Sequence, residues 1–150
     1  MGAGKIIFMG RTGSGKTTLC QKLDELEIKY KKTQAVELYD HAIDTPGEYM
    51  ENRNFYRALI MSAVDAKLIA ILADPTVKDN YIPPAFAGTF AKEIIGIVTK
   101  VALAESEEEI ARVERELREA GAQKIFHVDT ISNIGIDELF HYIHERIDEK

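Results

Sequence analysis

The residues Gly10-Arg11-Thr12-Gly13-Ser14-Gly15-Lys16-Thr17 satisfy every specified position of the pattern G-x-x-x-x-G-K-[ST]. Glycines at such positions let a backbone curl until successive N–H groups point inward, and a helix starting just behind them adds partial positive charge. That is chemistry suited to a polyphosphate. Gly10, Thr12, Gly13, Ser14, Gly15 and Thr18 are the expected cradle, Lys16 is expected as an exposed charge reaching the outer phosphates, and the Thr17 hydroxyl is expected on Mg²⁺. The flanks fit this reading: Lys5-Ile6-Ile7-Phe8-Met9 has the composition of a buried strand, and Leu19, Leu23 and Leu26 share one helical face.

A second group lies downstream. Val36 to Ile43 reads as a strand that ends in Asp44-Thr45-Pro46-Gly47. After a phosphate loop, this D-x-x-G spacing predicts that Asp44 holds Mg²⁺ through water and that the Gly47 N–H meets a γ-phosphate. Thr33, in what reads as a basic loop from Lys29, stands where P-loop GTPases place a second Mg²⁺ ligand. Glu48 occupies the place where many GTPases orient water with a glutamine. An ionised carboxylate only accepts hydrogen bonds, so hydrolysis is expected to be slow. Lys16, Thr33 and Glu48 are therefore the catalytic candidates, and Glu48 to Met50 is a candidate switch segment. A third group, Thr99-Lys100-Val101-Ala102, matches [NT]-K-x-D in Thr99 and Lys100 but has Ala102 where guanine recognition needs an aspartate. Asp129-Thr130 stands where GTPases usually carry Ser-Ala, and Asp129 is the first substitute reader of the base. ATP and GTP both remain open as ligands.

These groups need strands and helices to bring them together. Asn52 to Ala66 reads as a helix with Phe55, Leu59, Ile60 and Ala63 inward, followed by strands over Leu68 to Ala73, Glu93 to Thr99 and Lys124 to Val128. A short helical piece over Ala85 to Lys92 follows a proline-punctuated loop. A helix from Ser106 should open with a Ser106/Glu109 capping box and close at Gly121, and a last helix runs from Ile136 to Arg146. Between Thr33 and Asp44 there is room for one ordinary strand. The expectation is an α/β P-loop NTPase three-layer sandwich, with a five-stranded, mainly parallel sheet lacking the hairpin strand of Ras-like proteins. His141 and His144, one turn apart, read as exposed surface.

The chain has 150 residues, enough for one domain with a substantial core, and a formal net charge of −6, which argues against nucleic acid or an anionic membrane as partner. The only cysteine, Cys20, allows no internal disulfide and reads as a packed apolar side chain. No apolar run is long enough to span a bilayer and no signal peptide or myristoylation site is recognisable, so a soluble, cytoplasmic protein is expected.

The phosphate loop Gly10 to Thr17, Lys32-Thr33-Gln34-Ala35-Val36-Glu37, Asp44 to Tyr49, Pro83-Pro84-Ala85-Phe86-Ala87, Thr99-Lys100 and Leu117-Arg118-Glu119-Ala120-Gly121-Ala122 together resemble the EutP/PduV family over nearly the whole chain. The resemblance implies a compact GTPase-like protein linked to ethanolamine or propanediol utilisation and to bacterial microcompartments, whose proteins would then be partners. One member class of that family is described as an acetate kinase. The residues are compatible with a slow Mg²⁺-dependent nucleoside triphosphatase, with an ATP-dependent acetate kinase, and with a nucleotide-binding interaction module that does not turn nucleotide over.

Overall fold

Strands covered on both faces carry apolar residues at consecutive positions, and Ile6-Ile7-Phe8-Met9, Leu68 to Ala73 and Ile94 to Val98 do so here. The computed structural model describes residues 5–32, 42–45 and 47–147. In chain order these form β1 (Lys5–Met9), α1 (Lys16–Lys32), β2 (Ala42–Asp44), α2 (Glu48–Glu51), α3 (Tyr56–Ser62), β3 (Ala66–Ala73), β4 (Glu93–Val98), α4 (Glu107–Ala120), β5 (Lys124–His127) and α5 (Ile136–Ile147), with 3₁₀ turns at Arg53–Phe55, Phe86–Thr89 and Val101–Leu103. β1, β3, β4 and β5 carry most of the sheet and the three-residue β2 flanks β1, giving the order β2-β1-β3-β4-β5 with every described pairing parallel.

Because side chains alternate along a strand, the sheet feeds two cores. Ile7, Met9, Ile69, Ile71, Ile94 and Val98 pack with Leu59 of α3, Ala63 just past its end, and Val113 and Leu117 of α4. Ile6, Phe8, Leu68, Leu72, Ile95 and Ile97 pack on the other face with Leu19 of α1 and with Leu139 and Ile143 of α5. Helices thus cover both faces. Each fully buried Ile, Leu or Phe contributes roughly 1.5–3 kcal/mol, so the two cores hold the strand ends in place. Cys20 packs at the edge of the second core, as its apolar reading requires. Among the described residues no helix is long and apolar enough to cross a membrane.

Several boundaries differ from the expectations. α1 continues through Lys29, Lys31 and Lys32, which read as a loop; no Gly or Pro interrupts this run, and lysine is a good helix former. The single helix expected over Asn52 to Ala66 is shorter: it opens as a 3₁₀ turn at Arg53–Phe55, α3 covers only Tyr56–Ser62, and Ala66 already begins β3, while a separate short helix, α2, precedes Asn52. Asn52 accounts for the irregular start: its side-chain oxygen accepts from the Asn54 N–H at 2.9 Å, a local bond that competes with the helical ladder. With α3 starting at Tyr56, Leu59 and Ala63 face inward, whereas Phe55 and Ile60 are each 38% exposed. The helical piece expected over Ala85 to Lys92 is a 3₁₀ turn at Phe86–Thr89. At α4 the Ser106 Oγ accepts from the Glu109 N–H at 3.3 Å, but the Glu109 carboxylate turns to the Glu105 N–H, so only half the capping box forms. Gly121 closes α4 with φ 110°, donating to the Arg118 carbonyl. The strand expected from Val36, apart from its end at Ala42–Asp44, lies outside the described residues, as does the segment on which the expectation of no hairpin strand rests.

Candidate functional site

In a parallel sheet of order β2-β1-β3-β4-β5, the connection from β1 leaves to one side and the next returns past it, so a crevice opens at the carboxyl ends of β1 and β3. The glycine-rich loop lies there, between β1 and α1. Gly13 (φ 81°) and Gly15 (φ 102°) take left-handed conformations that other residues rarely adopt. Between them the Ser14 N–H donates to the Arg11 carbonyl at 3.1 Å, and the Leu19 N–H closes the first turn of α1 on the Gly15 carbonyl at 2.9 Å. Thr12, Gly13, Thr17 and Thr18 are exposed, while Gly10 and Ser14 are buried. Lys16 is 8% exposed, which corrects the expectation of an exposed charge; a lysine can bury its long aliphatic stem against neighbouring structure.

The ends of neighbouring strands hold the loop. Thr99, just past β4, donates its hydroxyl to the Ser14 carbonyl at 2.8 Å, and Lys100 Nζ donates to the Gly13 carbonyl at 2.7 Å. The same ammonium pairs at 2.9 Å with Asp74, a buried carboxylate just past β3 that also accepts from the Thr76 N–H and hydroxyl. Lys100 sits at φ 54°, a left-handed conformation that costs a non-glycine residue about 1–3 kcal/mol and persists only where surrounding contacts over-determine it. From the loop itself, Arg11 donates to the Asp79 carbonyl at 2.8 Å and lies over the Tyr81 ring. Asp74 and Glu51 are the contacts that sequence reasoning missed. A carboxylate directly ending a buried strand was a usable signal for Asp74; nothing in the local pattern singled out Glu51.

The D-x-x-G segment meets the loop directly. Asp44 closes β2 opposite Phe8 of β1, and Thr45 donates its hydroxyl to the Phe8 carbonyl at 2.9 Å. A Cβ built on Gly47 would stand 2.4 Å from the Thr12 nitrogen and 2.6 Å from its Cα, so only glycine permits this approach. Four residues on, the Glu51 carboxylate accepts from the Thr12 N–H at 2.6 Å. That backbone bond, reinforced by the Thr12 side chain, lowers the Glu51 pKa. Glu48 opens α2. Thr33 lies outside the described residues, and so do the side chains of Asp44 and Glu48.

Beside the loop is a cavity of about 170 Å³, lined by Gly15, Thr18, Thr99 and Lys100 and, opposite them, by Leu103, Val128, Asp129, Thr130 and Ile131. Thr99 and Lys100 therefore serve both the loop and the cavity. Asp129 is 3% exposed and fully engaged: one oxygen accepts from the Ile131 and Ser132 N–H groups at 3.0 and 2.9 Å, the other from the Ala102 N–H at 3.1 Å. Burial raises its pKa, but the bonds from Ser132, Ala102 and Ile131 outweigh that and leave it lowered. In this arrangement it braces the cavity wall. Leu103 and Ile131 present apolar surface at the cavity, 57% and 84% exposed.

The two histidines of α5 part company. His141 is exposed, but His144 reaches Glu27 of α1 at 2.6 Å and packs on Phe140, which corrects the reading of both as surface. Two helices brought side by side on one face of the sheet account for this pairing.

A family model described as ethanolamine utilisation and propanediol utilisation, PduV-EutP, matches residues 3–145. Propanediol utilization protein PduV of Citrobacter freundii is 39% identical over 142 residues, covering 95% of this chain and 94% of that protein. Two proteins named probable acetate kinase EutP are also similar: that of Salmonella typhimurium is 32% identical over 143 residues, and that of Escherichia coli K12 28% identical over 142, each match covering 93% of this chain and 88% of the relative. The chain thus belongs to the PduV-EutP family of ethanolamine and propanediol utilisation proteins.

Proposed function

We propose that this chain is a Mg²⁺-dependent nucleoside triphosphate-binding P-loop protein that hydrolyses nucleotide slowly in the service of ethanolamine or propanediol utilisation. The observation that carries the reading is the convergence of the chain after β2 and after β4 on one glycine-rich loop. Gly47 touches Thr12, while Thr99 and Lys100 hold the Ser14 and Gly13 carbonyls. Tying those carbonyls back leaves the loop's curvature set before any ligand arrives, which lowers the ordering cost of binding an anion. In this reading Gly10 to Thr18 cradle the phosphates, Lys16 neutralises the outer ones, and the bound nucleotide takes its base to the cavity beside Lys100. Mg²⁺ prefers oxygen ligands and keeps several waters, and Thr17 at the start of α1, Asp44 at the end of β2 and Thr33 fit that donor chemistry. When bound, the ion would neutralise charge on the outer phosphates. Glu48 follows Gly47 directly and is the candidate for ordering the attacking water. The family's link to microcompartments makes shell or enzyme components of such bodies the proposed partners, in the cytoplasm.

The names carried by the EutP relatives favour a second reading, phosphoryl transfer from ATP to acetate on the same loop. Incubation with γ-labelled ATP or GTP, with and without acetate, separates the possibilities. Free phosphate in both arms supports slow hydrolysis, with turnover well below the order of 10 s⁻¹ typical of enzymes. Acetyl phosphate in the acetate arm supports the kinase. Binding with unchanged nucleotide supports an interaction module, and absence of binding rejects the proposal.

A further inference from the structure

Segment Gly47–Glu51 touches the phosphate loop twice. Its glycine packs against the Thr12 backbone so closely that a Cβ would overlap it, and its last residue, Glu51, places a carboxylate oxygen 2.6 Å from the Thr12 nitrogen. Thr12 is the third residue of the loop, and its N–H is a donor of the kind that can meet an anion. That donor is already engaged by an anionic oxygen. The Met50 N–H bonds to the Gly47 carbonyl at 3.0 Å and the Met50 side chain is buried in the core, so glycine, core anchor and carboxylate form one short lever.

We propose that Glu51 is an internal latch whose carboxylate stands in for a terminal phosphate oxygen at the Thr12 N–H, so that a triphosphate must displace it whereas a diphosphate need not. This rests on the nucleotide-binding reading above. Two anionic oxygens competing for one N–H repel each other and cannot both be satisfied by a single proton. A terminal phosphate therefore expels Glu51, and α2, which carries it, moves with it. The latch thereby turns the presence of a third phosphate into a displacement of Gly47–Glu51, and it weakens triphosphate binding selectively.

The test uses the full chain with Mg²⁺ and measures affinities for AMPPNP and ADP by calorimetry in the unmodified protein, Glu51→Gln, Glu51→Ala and Lys16→Ala. Because the carboxylate is charged and the amide is not, Glu51→Ala should tighten AMPPNP by about tenfold or more and ADP by less than about threefold, with Glu51→Gln in between. Amide hydrogen exchange supplies a readout independent of nucleotide affinity: the Thr12 N–H should exchange faster in nucleotide-free Glu51→Ala than in the nucleotide-free parent. An unchanged AMPPNP-to-ADP ratio, or weaker AMPPNP binding by Glu51→Ala, overturns the latch while Lys16→Ala still abolishes binding. A folded parent that binds neither nucleotide overturns the nucleotide reading and the latch with it.

Discussion

Removing the Thr99 hydroxyl strips the Ser14 carbonyl of its side-chain donor inside a buried site, whereas the Ala73 carbonyl keeps the Thr99 N–H at 2.9 Å. Thr99→Val, nearly equal in shape, should therefore cost about 1–3 kcal/mol. Denaturant unfolding would read this as a lower midpoint at unchanged slope, and an unaltered midpoint would show that the bond does not hold the loop. Lys16→Ala tests the proposed ligand contact. It should leave a folded protein, judged by a cooperative melt, but lose nucleotide binding, since each charge-assisted bond removed is worth roughly 1.5–3 kcal/mol. Unchanged affinity in that variant would remove the loop from the site. The 8% exposure of Lys16 adds a consequence that the sequence pattern alone did not contain: truncation also leaves space where the stem lay, so a modest loss of stability should accompany the loss of binding.

At the scale of elements, Gly47 decides how closely α2 approaches the loop. Gly47→Ala forces a methyl against the Thr12 backbone, and such overpacking costs typically 1–3 kcal/mol unless the segment withdraws. Withdrawal breaks the Glu51 bond, so faster amide exchange at Thr12 is the expected signature, and unchanged exchange would mean that the contact is not tight. A second pair of elements, the Val101–Leu103 turn and the loop after β5, is joined by Asp129. Its folded pKa is lowered, so the sign is that of a stabilising carboxylate: its contribution is present above the unfolded value of about 3.9 and lost as pH falls through the lower folded value. Asp129→Asn should destabilise at pH 7 and flatten the acid limb of stability against pH; an acid limb identical to the parent's would refute that role. These elements were unequally legible. Strands such as Leu68 to Ala73 announce themselves because burial on both faces demands an unbroken apolar run, and the glycine-rich loop because its glycines recur at fixed spacing. The 3₁₀ turn that replaces the first turn of the helix expected from Asn52 was hidden because one side-chain hydrogen bond overrode the apolar periodicity. Asp74 also reaches the Lys100 ammonium and Asp129 the Ala102 N–H, partners 26 and 27 residues away that no local spacing encodes.

For the molecule as a whole, the parallel order β2-β1-β3-β4-β5 gathers the loops after β1, β2, β3 and β4 at one edge, so occupying the site ties most of the sheet together. A ligand that binds only the folded state at about 100 times its dissociation constant adds about 2.7 kcal/mol, which for a chain of this size raises the melting temperature by about 5–10 °C. The base should matter little to that shift. Guanine selectivity in the [NT]-K-x-D arrangement depends on an aspartate where this chain has Ala102, and Asp129, the alternative reader, already accepts from Ala102, Ile131 and Ser132. What remains around the cavity is the Lys100 stem, Leu103, Val128 and Ile131, which cover a ring without telling guanine from adenine, and the hydroxyls of Thr18, Thr99 and Thr130, which can both donate and accept and so supply no fixed acceptor pair for guanine. ATP and GTP, each with Mg²⁺, should therefore raise the melting temperature alike and differ in affinity by less than about tenfold, or about 1.4 kcal/mol. Ala102→Asp supplies the missing acceptor and should widen the gap in favour of GTP, even with the buried Asp129 carboxylate as its neighbour. A strong GTP preference in the unmodified protein would mean that Asp129 leaves its backbone donors when nucleotide enters, and Asp129→Asn would then abolish that preference.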